Sequence, residues 1–135
     1  MKLFTYGTLR IDEANSELLN QYGTLQETCK TKEKYIMFTQ EYLYFPFLIP
    51  ASLWPQMAHH ATYITGDLYD INDEGIQRCD TMEGHPDWYC RTPICVQTSR
   101  GEQEVWAYLL TEEGFRSERD CIVILPSGDW KQRVE

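Results

Sequence analysis

The stretch that decides the fold is MKLFTYGTLR, residues 1–10. Its residues 3–6 are apolar, aromatic or β-branched, which predicts a short buried strand. Gly7 then ends the run, and the chain turns through residues 7–9. A glycine after a strand is common in ordinary turns, and it also occurs where backbone amides approach a ligand. This stretch alone leaves both interpretations open.

A short helix is predicted directly behind this turn. Asn15 is a favourable N-cap for SELLNQY, residues 16–22, whose leucines and tyrosine recur at helical spacing. Gly23 follows the last of them, and we expect it to end the helix as a left-handed C-terminal glycine. The first unit therefore consists of a strand, a glycine turn and a short helix.

The rest of the chain is dominated by strand-like runs. These runs share a high content of aromatic and β-branched residues, and they cover residues 35–49, 61–71, 88–98, 104–111 and 121–125. A second helix is predicted from residue 73 to residue 83, with Asn72 or Asp73 as its cap and Gly84 at its end. The order β-α-β-β-β-α-β-β with hairpin-length links favours the α+β class. We expect one domain, residues 1–135, whose mostly antiparallel sheet curls into a small barrel with short helices.

The composition argues against several functional classes. The chain has 12 Lys and Arg against 21 Asp and Glu, a net charge of −9, so nucleic-acid binding is not expected. Its longest basic cluster, residues 30–34, is short and is expected to be a solvated loop or strand edge. No apolar run is long enough to cross a membrane and the opening lacks a leader pattern, so we expect a cytoplasmic protein. The five cysteines are scattered, which indicates free thiols and no metal site.

One carboxylate of the second helix lies on an unexpected face. At 100° per residue Ile76, Cys79 and Glu83 share one line, and the first two are natural core residues. Desolvation, the negative end of the helix and Asp80 one turn earlier are all expected to raise the pKa of Glu83, as a proton shuttle at neutral pH requires. The alternative is a partly buried Glu83 paired with a nearby arginine, Arg91 or Arg78. The spacing does not decide between the two.

Taken together, these blocks resemble the gamma-glutamylcyclotransferase-like family, and most closely its gamma-glutamylamine cyclotransferase branch with the avirulence-induced-like proteins. The resemblance covers roughly residues 3–110 and rests on ordered motifs: YGTL at 6–9, a Phe-Pro segment at 45–48, GDLY at 66–69, DTME at 80–83, and Y-x-R at 89–91. At 79 a cysteine stands where the family usually has leucine. The tail from residue 111 onward departs from that branch.

The resemblance implies a small mixed barrel with a cavity at one end and no cofactor. It implies Glu83 as the catalytic residue, and backbone groups that hold the glutamyl part of a small substrate at Tyr6, Gly7, Thr8 and Leu9. Candidate pocket residues are Tyr89, Arg91 and Tyr108, although for Tyr6 and the other two tyrosines plain core packing is an equal alternative. The sequence indicates nothing about oligomeric state.

The implied reaction is intramolecular. The α-amine of a γ-glutamyl amine or amide attacks its own γ-carbonyl, which releases 5-oxoproline and an amine. A related possibility is the removal of a γ-glutamyl protecting group from a natural product, with residues 50–60 overhanging the cavity and selecting the amine. A different class, a non-catalytic small-ligand-binding or stress-response module on the same fold, is disfavoured because it has no use for an inward-facing carboxylate.

Overall fold

The computed structural model describes residues 1–10, 13, 15–40, 45–118 and 121–132. Its strands are β1 Lys2–Thr5, β2 Gly23–Gln40, β3 Phe47–Pro50, β4 Thr62–Ile71, β5 Tyr89–Thr98, β6 Gly101–Leu110 and β7 Ile122–Ile124. Its α-helices are α1 Ser16–Tyr22, α2 Asp73–Glu83 and α3 Glu112–Glu118, and short 3-10 turns cover Ala51–Leu53, Pro55–His60 and Trp130–Gln132. None of the helices in these ranges is long and apolar enough to cross a membrane.

Five of the strands close into a barrel in the order β2-β4-β1-β6-β5, because β5 pairs back onto β2. The β1–β6 contact is parallel, with Leu3 opposite Trp106, and the other pairings are antiparallel. Outside this ring, β3 and β7 pair with the second half of β2. The predicted fold, a mixed and mostly antiparallel barrel with short helices, is confirmed.

The strands bury side chains on both faces, as their alternation requires. In β1, Leu3 belongs to a cluster that joins the sheet to α1 and α2, whereas Phe4 belongs to a second cluster built mostly from strand residues. In β4 the same division separates Tyr69 from Leu68. Burial on both faces explains why the short opening strand β1 is a continuous apolar run.

The first half of β2 differs from the sequence expectation. Gly23 does not end α1 in a left-handed conformation but is extended, with φ −161° and ψ −176°, and begins the strand. A Cβ at this position would lie 2.5 Å from the Asp70 carbonyl oxygen, so close backbone approach explains the glycine. The basic cluster 30–34 lies within β2, at a shift in its register with β4. Residues 41–44 of the predicted 35–49 strand region lie outside the described residues.

The C-terminal residues, to which the sequence assigned no role, form hydrogen bonds with strands on one side of the barrel. The Leu125 amide donates to the Met37 carbonyl at 2.9 Å, and the Thr65 amide donates to the Gly128 carbonyl at 2.9 Å. Trp130 is buried with the strand residues of the second cluster. This segment also contributes an acidic side chain, Asp129, next to the opening turn.

Candidate active site

The turn after β1 is held by its own backbone and by Asn15. The Arg10 amide donates to the Gly7 carbonyl at 3.0 Å, and the Asn15 amide donates to the Thr8 carbonyl at 2.8 Å. The Asn15 side chain, expected to cap α1, instead donates to the Thr8 hydroxyl at 2.9 Å. The amides of Gly7, Thr8 and Leu9 have no hydrogen-bond acceptor among the described residues. The turn therefore presents three free donors.

Arg10 ties this turn to the barrel and to the C-terminal segment. Its guanidinium, only 4% exposed, forms ion pairs with Asp67 of β4 at 3.3 Å and with Asp129 at 2.6 Å. Asp67 is fully buried and also accepts a hydrogen bond from the Thr28 hydroxyl at 3.0 Å. Three separate parts of the chain are thus joined immediately behind the turn.

Gly7 is required by the Phe-Pro segment. A Cβ on Gly7 would lie 2.8 Å from both Cγ and Cδ of Pro46, which is closer than packed carbon atoms approach. Gly7 does not have a positive φ, so the requirement is one of space and not of backbone conformation. The sequence left open whether Gly7 serves an ordinary turn or the approach of backbone amides to a ligand. The contact that the structure records for this position is with Pro46.

A cavity of about 240 Å³ opens between this turn and the end of α2. Its lining residues come from β1 and the turn, from the residue before α1, from the Phe-Pro segment, from the end of α2, from the residue before β5, and from β5 and β6: Phe4, Thr5, Tyr6, Gly7, Thr8, Leu9, Asn15, Phe45, Pro46, Met82, Glu83, Trp88, Tyr89 and Tyr108. The structure therefore brings together all the expected site residues except Arg91. The segment 50–60, expected to overhang the cavity, contributes no lining residue.

Helix α2 places Glu83 at the wall of this cavity. The Asn72 side chain accepts a hydrogen bond from the Gly75 amide at 2.9 Å at the start of the helix, and Gly84 ends it in a left-handed conformation with φ 67°. Ile76 and Cys79 are buried beneath the helix, as the helical spacing predicted. Glu83 is half-buried on the same side, and none of the described residues forms a hydrogen bond or an ion pair with its carboxylate. Burial raises the pKa of this carboxyl to about 7.

The arginines proposed as partners of Glu83 are engaged elsewhere. Arg78 pairs with Glu74 at 3.6 Å on the exposed face of α2. Arg91 binds Asp80 through Nε at 3.0 Å and Nη2 at 3.3 Å, and its guanidinium lies over the Trp106 ring. The pocket position expected of Arg91 is therefore not observed, because the residue serves as the counter-ion of Asp80.

Asp80 is stabilised as an anion. Burial raises the pKa of its carboxyl, but hydrogen bonds from Arg91 and Tyr108 and the charge of Arg91 outweigh this effect and lower the pKa. Burial is the cause that raises the pKa of Glu83, so the expected contribution of Asp80 to that shift is not observed. The two acidic residues at this helix end therefore differ in the direction of their pKa shifts, which is downward for Asp80 and upward for Glu83.

Three tyrosines form the wall of the cavity and donate their phenol protons to fixed acceptors. Tyr6 donates to the Tyr108 carbonyl, Tyr89 to the Pro46 carbonyl at 3.0 Å, and Tyr108 to the Asp80 carboxylate at 2.6 Å. The pKa of Tyr6 is raised by burial and by the proximity of Tyr89 and Glu83, and that of Tyr108 is raised chiefly by burial. Both remain neutral donors at physiological pH. They line the site and also pack in the core.

The sequence patterns assigned no site role to seven of the lining residues, namely Phe4, Thr5, Asn15, Phe45, Pro46, Met82 and Trp88. The Phe-Pro segment was a recognisable motif, yet its contact with Gly7 depends on pairing between distant strands. Within the part of the chain that the structure describes, no group of three or more His, Cys, Asp or Glu side chains could hold a metal ion.

Comparison with known proteins identifies the family of this chain. The family described as "Gamma-glutamyl cyclotransferase, AIG2-like" matches residues 3–132. A putative gamma-glutamylcyclotransferase of Methanocaldococcus jannaschii is 30% identical over 130 residues, 96% of this chain and 94% of that protein. Gamma-glutamylaminecyclotransferase C of Danio rerio is 32% identical over 108 residues, 76% of this chain and 66% of that protein.

The fold also matches a solved structure. The crystal structure of an AIG2-like protein from Mus musculus superposes with a TM-score of 0.69 at 20% identity, and covers 82% of this chain and 77% of that one. The match of the family over residues 3–132 includes the opening turn, α2 with Glu83 and the C-terminal segment. The chain belongs to the gamma-glutamyl cyclotransferase, AIG2-like family.

Proposed function

We propose that this chain is a γ-glutamyl cyclotransferase of the γ-glutamylamine type, in which residues 1–135 act as a single cytoplasmic catalytic domain. Its substrate is a γ-glutamyl amine or amide, and its products are 5-oxoproline and the free amine. The observation that carries the proposal is the pairing, in one cavity, of an acid without a counter-ion among the described residues and a turn with three free amides. Membership of the family supports the same type of activity.

Glu83 is the proton carrier in this proposal. The α-amine of the substrate is mostly ammonium near pH 7 and becomes nucleophilic only when it loses a proton. A carboxyl group whose pKa is about 7 exists in both forms at that pH, so it accepts this proton and then donates it to the leaving nitrogen. A bond forms between the α-nitrogen and the γ-carbonyl carbon, and the bond from that carbon to the amine nitrogen breaks. The α-nitrogen loses a second proton as it becomes the ring amide, and Glu83 passes this proton to the released amine as well, which leaves as an ammonium ion.

The free amides of Gly7, Thr8 and Leu9 hold the negative end of the substrate. They donate either to the α-carboxylate of the glutamyl part or to the γ-carbonyl oxygen, where charge develops as the ring closes. Because the two reacting groups belong to one molecule, fixing its conformation accounts for much of the rate. Tyr6 and Tyr89 narrow the cavity around that conformation, since their phenols are fixed to backbone carbonyls.

The test is direct product detection. The purified protein is incubated with γ-glutamyl-ε-lysine, γ-glutamyl amino acids, γ-glutamyl alkylamides and glutathione, and 5-oxoproline is measured by mass spectrometry. We expect time-dependent, enzyme-dependent 5-oxoproline from at least one of them. Saturable binding without 5-oxoproline from any substrate would contradict the proposal and support a non-catalytic binding module instead.

A further inference from the structure

Asn15 holds Thr8 at two points. Its backbone amide donates to the Thr8 carbonyl at 2.8 Å, and its side-chain amide donates to the Thr8 hydroxyl oxygen at 2.9 Å. Asn15 directly precedes α1 and is of a residue type favoured as a helix N-cap, yet its side chain makes no capping hydrogen bond and its ψ of 16° is not that of an extended cap. The Asn15 side chain therefore serves the turn and not the helix.

The hydrogen bond from Asn15 determines where the Thr8 hydroxyl proton can point. A hydroxyl group has one proton to donate and two lone pairs that accept. Asn15 occupies one of these lone pairs, so the proton points elsewhere, and none of the described residues accepts it. Thr8 is thus left with two hydrogens that have no acceptor among those residues, on its backbone amide and on its hydroxyl group.

The other hydroxyl groups of the cavity lining are already donated. Thr5 donates to a backbone carbonyl of β4 at 3.3 Å, and the phenols of Tyr6, Tyr89 and Tyr108 donate to the acceptors given above. Among the lining residues that the structure describes, Thr8 is therefore the one whose hydroxyl proton is available to a ligand.

Neutral donors are important here because the described lining residues include no Lys, Arg or His. Every γ-glutamyl substrate carries an α-carboxylate, and 5-oxoproline keeps it. A carboxylate offers about four acceptor sites, and it has to regain in the site the hydrogen bonds that it gives up to water. The amides of Gly7, Thr8 and Leu9 supply three donors, and the Thr8 hydroxyl supplies a fourth.

We propose that Asn15 is a positioning residue that directs the Thr8 hydroxyl proton into the cavity, where this proton is donated to the α-carboxylate of the glutamyl part beside the turn amides. The inference rests on the proposed function and adds a side-chain contact to it. Because ring closure leaves the α-carboxylate unchanged, the contact stabilises the substrate, the transition state and the product alike. It therefore acts on KM and on product binding and leaves kcat nearly unchanged.

The product and its neutral amide form a matched pair of ligands for the test. 5-Oxoprolinamide has a carboxamide in place of the carboxylate of 5-oxoproline, and NMR titration gives Kd for each. We expect the native chain to prefer 5-oxoproline at least tenfold. Thr8→Val keeps the shape of the side chain without its hydroxyl group and should reduce this preference at least fivefold. Thr8→Ser keeps the hydroxyl group and should retain the preference within twofold.

An isosteric change tests Asn15. In Asn15→Asp the new carboxylate can only accept, so the Thr8 hydroxyl donates to it and no longer to the ligand. We expect the preference for 5-oxoproline to fall at least tenfold, through the lost donor and through repulsion between the two carboxylates. Asn20→Asp makes the same chemical change at an exposed position of α1 outside the cavity lining, and it should leave the preference unchanged.

A double-mutant cycle separates this role from mere closure of the turn. Asn15→Ala keeps the backbone amide that donates to the Thr8 carbonyl and removes the side chain that orients the hydroxyl. It should weaken 5-oxoproline binding at least threefold in the native chain and cause no further loss in Thr8→Val. If Asn15 only closed the turn, Asn15→Ala would weaken the binding of both ligands, and by the same factor in both backgrounds.

Steady-state kinetics of Thr8→Val should show a raised KM with kcat changed less than twofold. A preference for 5-oxoproline that Thr8→Val or Asn15→Asp does not change, or a native chain that binds 5-oxoproline no better than its amide, would overturn the inference alone. Equal weakening by Asn15→Ala in both backgrounds would do the same. An absence of 5-oxoproline from every γ-glutamyl compound tried would overturn the proposed function, and this inference with it.

Discussion

Arg91 binds both carboxylate oxygens of Asp80, at 3.0 and 3.3 Å. This pairing explains the contrast between two acids that lie three residues apart on α2. The pKa of the Asp80 carboxyl is lowered in spite of its burial, whereas burial raises the pKa of Glu83 to about 7. Because Arg91 is committed to Asp80, the carboxylate that faces the cavity keeps the pKa that proton transfer near pH 7 requires.

Replacement of Glu83 by Gln should remove turnover and preserve the fold. The amide keeps the shape of the side chain but cannot carry the proton, so we expect kcat to fall by at least ~100-fold. Substrate affinity, measured by calorimetry, should change little. Glu74→Gln is the matched control, because Glu74 lies on the same helix and pairs with Arg78 on the exposed face. Comparable activity of Glu83→Gln and the native chain would exclude Glu83 as the proton carrier.

The rate should depend on pH with a rising limb near neutrality. Burial raises the pKa of Glu83 from 4.5 to about 7, so the carboxylate that acts as a base accumulates only as pH increases through 7. We therefore expect kcat/KM to rise between pH 6 and 8, with an apparent pKa of about 7. A rising limb near 4.5 would indicate a base in an ordinary solvated environment, which is inconsistent with this site.

The raised pKa of Glu83 also predicts that the ionised form of this side chain lowers the stability of the fold. The folded state binds the Glu83 proton more tightly than the unfolded state, so the free energy of unfolding falls as pH rises from about 4.5 to about 7. Above pH 7 a half-buried carboxylate should cost about 1–2 kcal/mol after allowance for solvent at the cavity mouth. Urea denaturation should show Glu83→Gln to be more stable than the native chain at pH 8 and nearly equal at pH 5. Equal stability of the two proteins at pH 8 would mean that Glu83 is not desolvated.

Much of the fold follows from local patterns in the sequence. The apolar run of β1, the capped helix α2 and the β5–β6 hairpin are each encoded within a short window, and the structure contains all three. The first half of β2 is not encoded in this way, because most of its residues from Gly23 to Lys34 are not buried. It becomes a strand because β4 and β5 supply hydrogen-bond partners on its two sides, and partners distant in sequence leave no local signal.

The residues of the candidate site likewise differ in whether a local sequence pattern predicts their position. Helical spacing is sufficient to place Glu83 on the buried side of α2, since periodicity within one helix is a local property. Arg91 is not among the lining residues because it pairs with Asp80, and this pairing depends on how β5 packs beside α2. Met82 and Trp88 are ordinary apolar residues in the sequence, and only the assembled cavity shows that they line it.

Arg10 should be a positioning residue with a large effect on stability. Arg10→Met would leave the fully buried Asp67 without its cation, so we expect a loss of about 3–5 kcal/mol in chemical denaturation. Arg116→Met removes an exposed ion pair with Glu112 and should cost less than about 0.5 kcal/mol.

Asp129→Asn tests whether the C-terminal segment acts on the turn through Arg10. It removes one of the two ion pairs of Arg10 but leaves Asp67 paired, so the protein should remain folded. A turn that is less well fixed should raise KM more than it lowers kcat, because its amides bind the glutamyl part. Unchanged KM and kcat in a folded Asp129→Asn protein would confine this ion pair to a purely structural role.

The last prediction concerns Gly7 and separates crowding against Pro46 from crowding of the substrate. In Gly7→Ala the new methyl group would lie 2.8 Å from two carbons of the Pro46 ring, so we expect a loss of about 1–3 kcal/mol of stability. Pro46→Ala removes those carbons while it keeps the carbonyl that accepts from Tyr89. The double variant should therefore lose at least about 1 kcal/mol less stability than the summed losses of the two single variants, as measured in a double-mutant cycle. Additive losses of stability would show that Pro46 is not the group that excludes a side chain at position 7. The need for a glycine there would then be explained by access for the substrate.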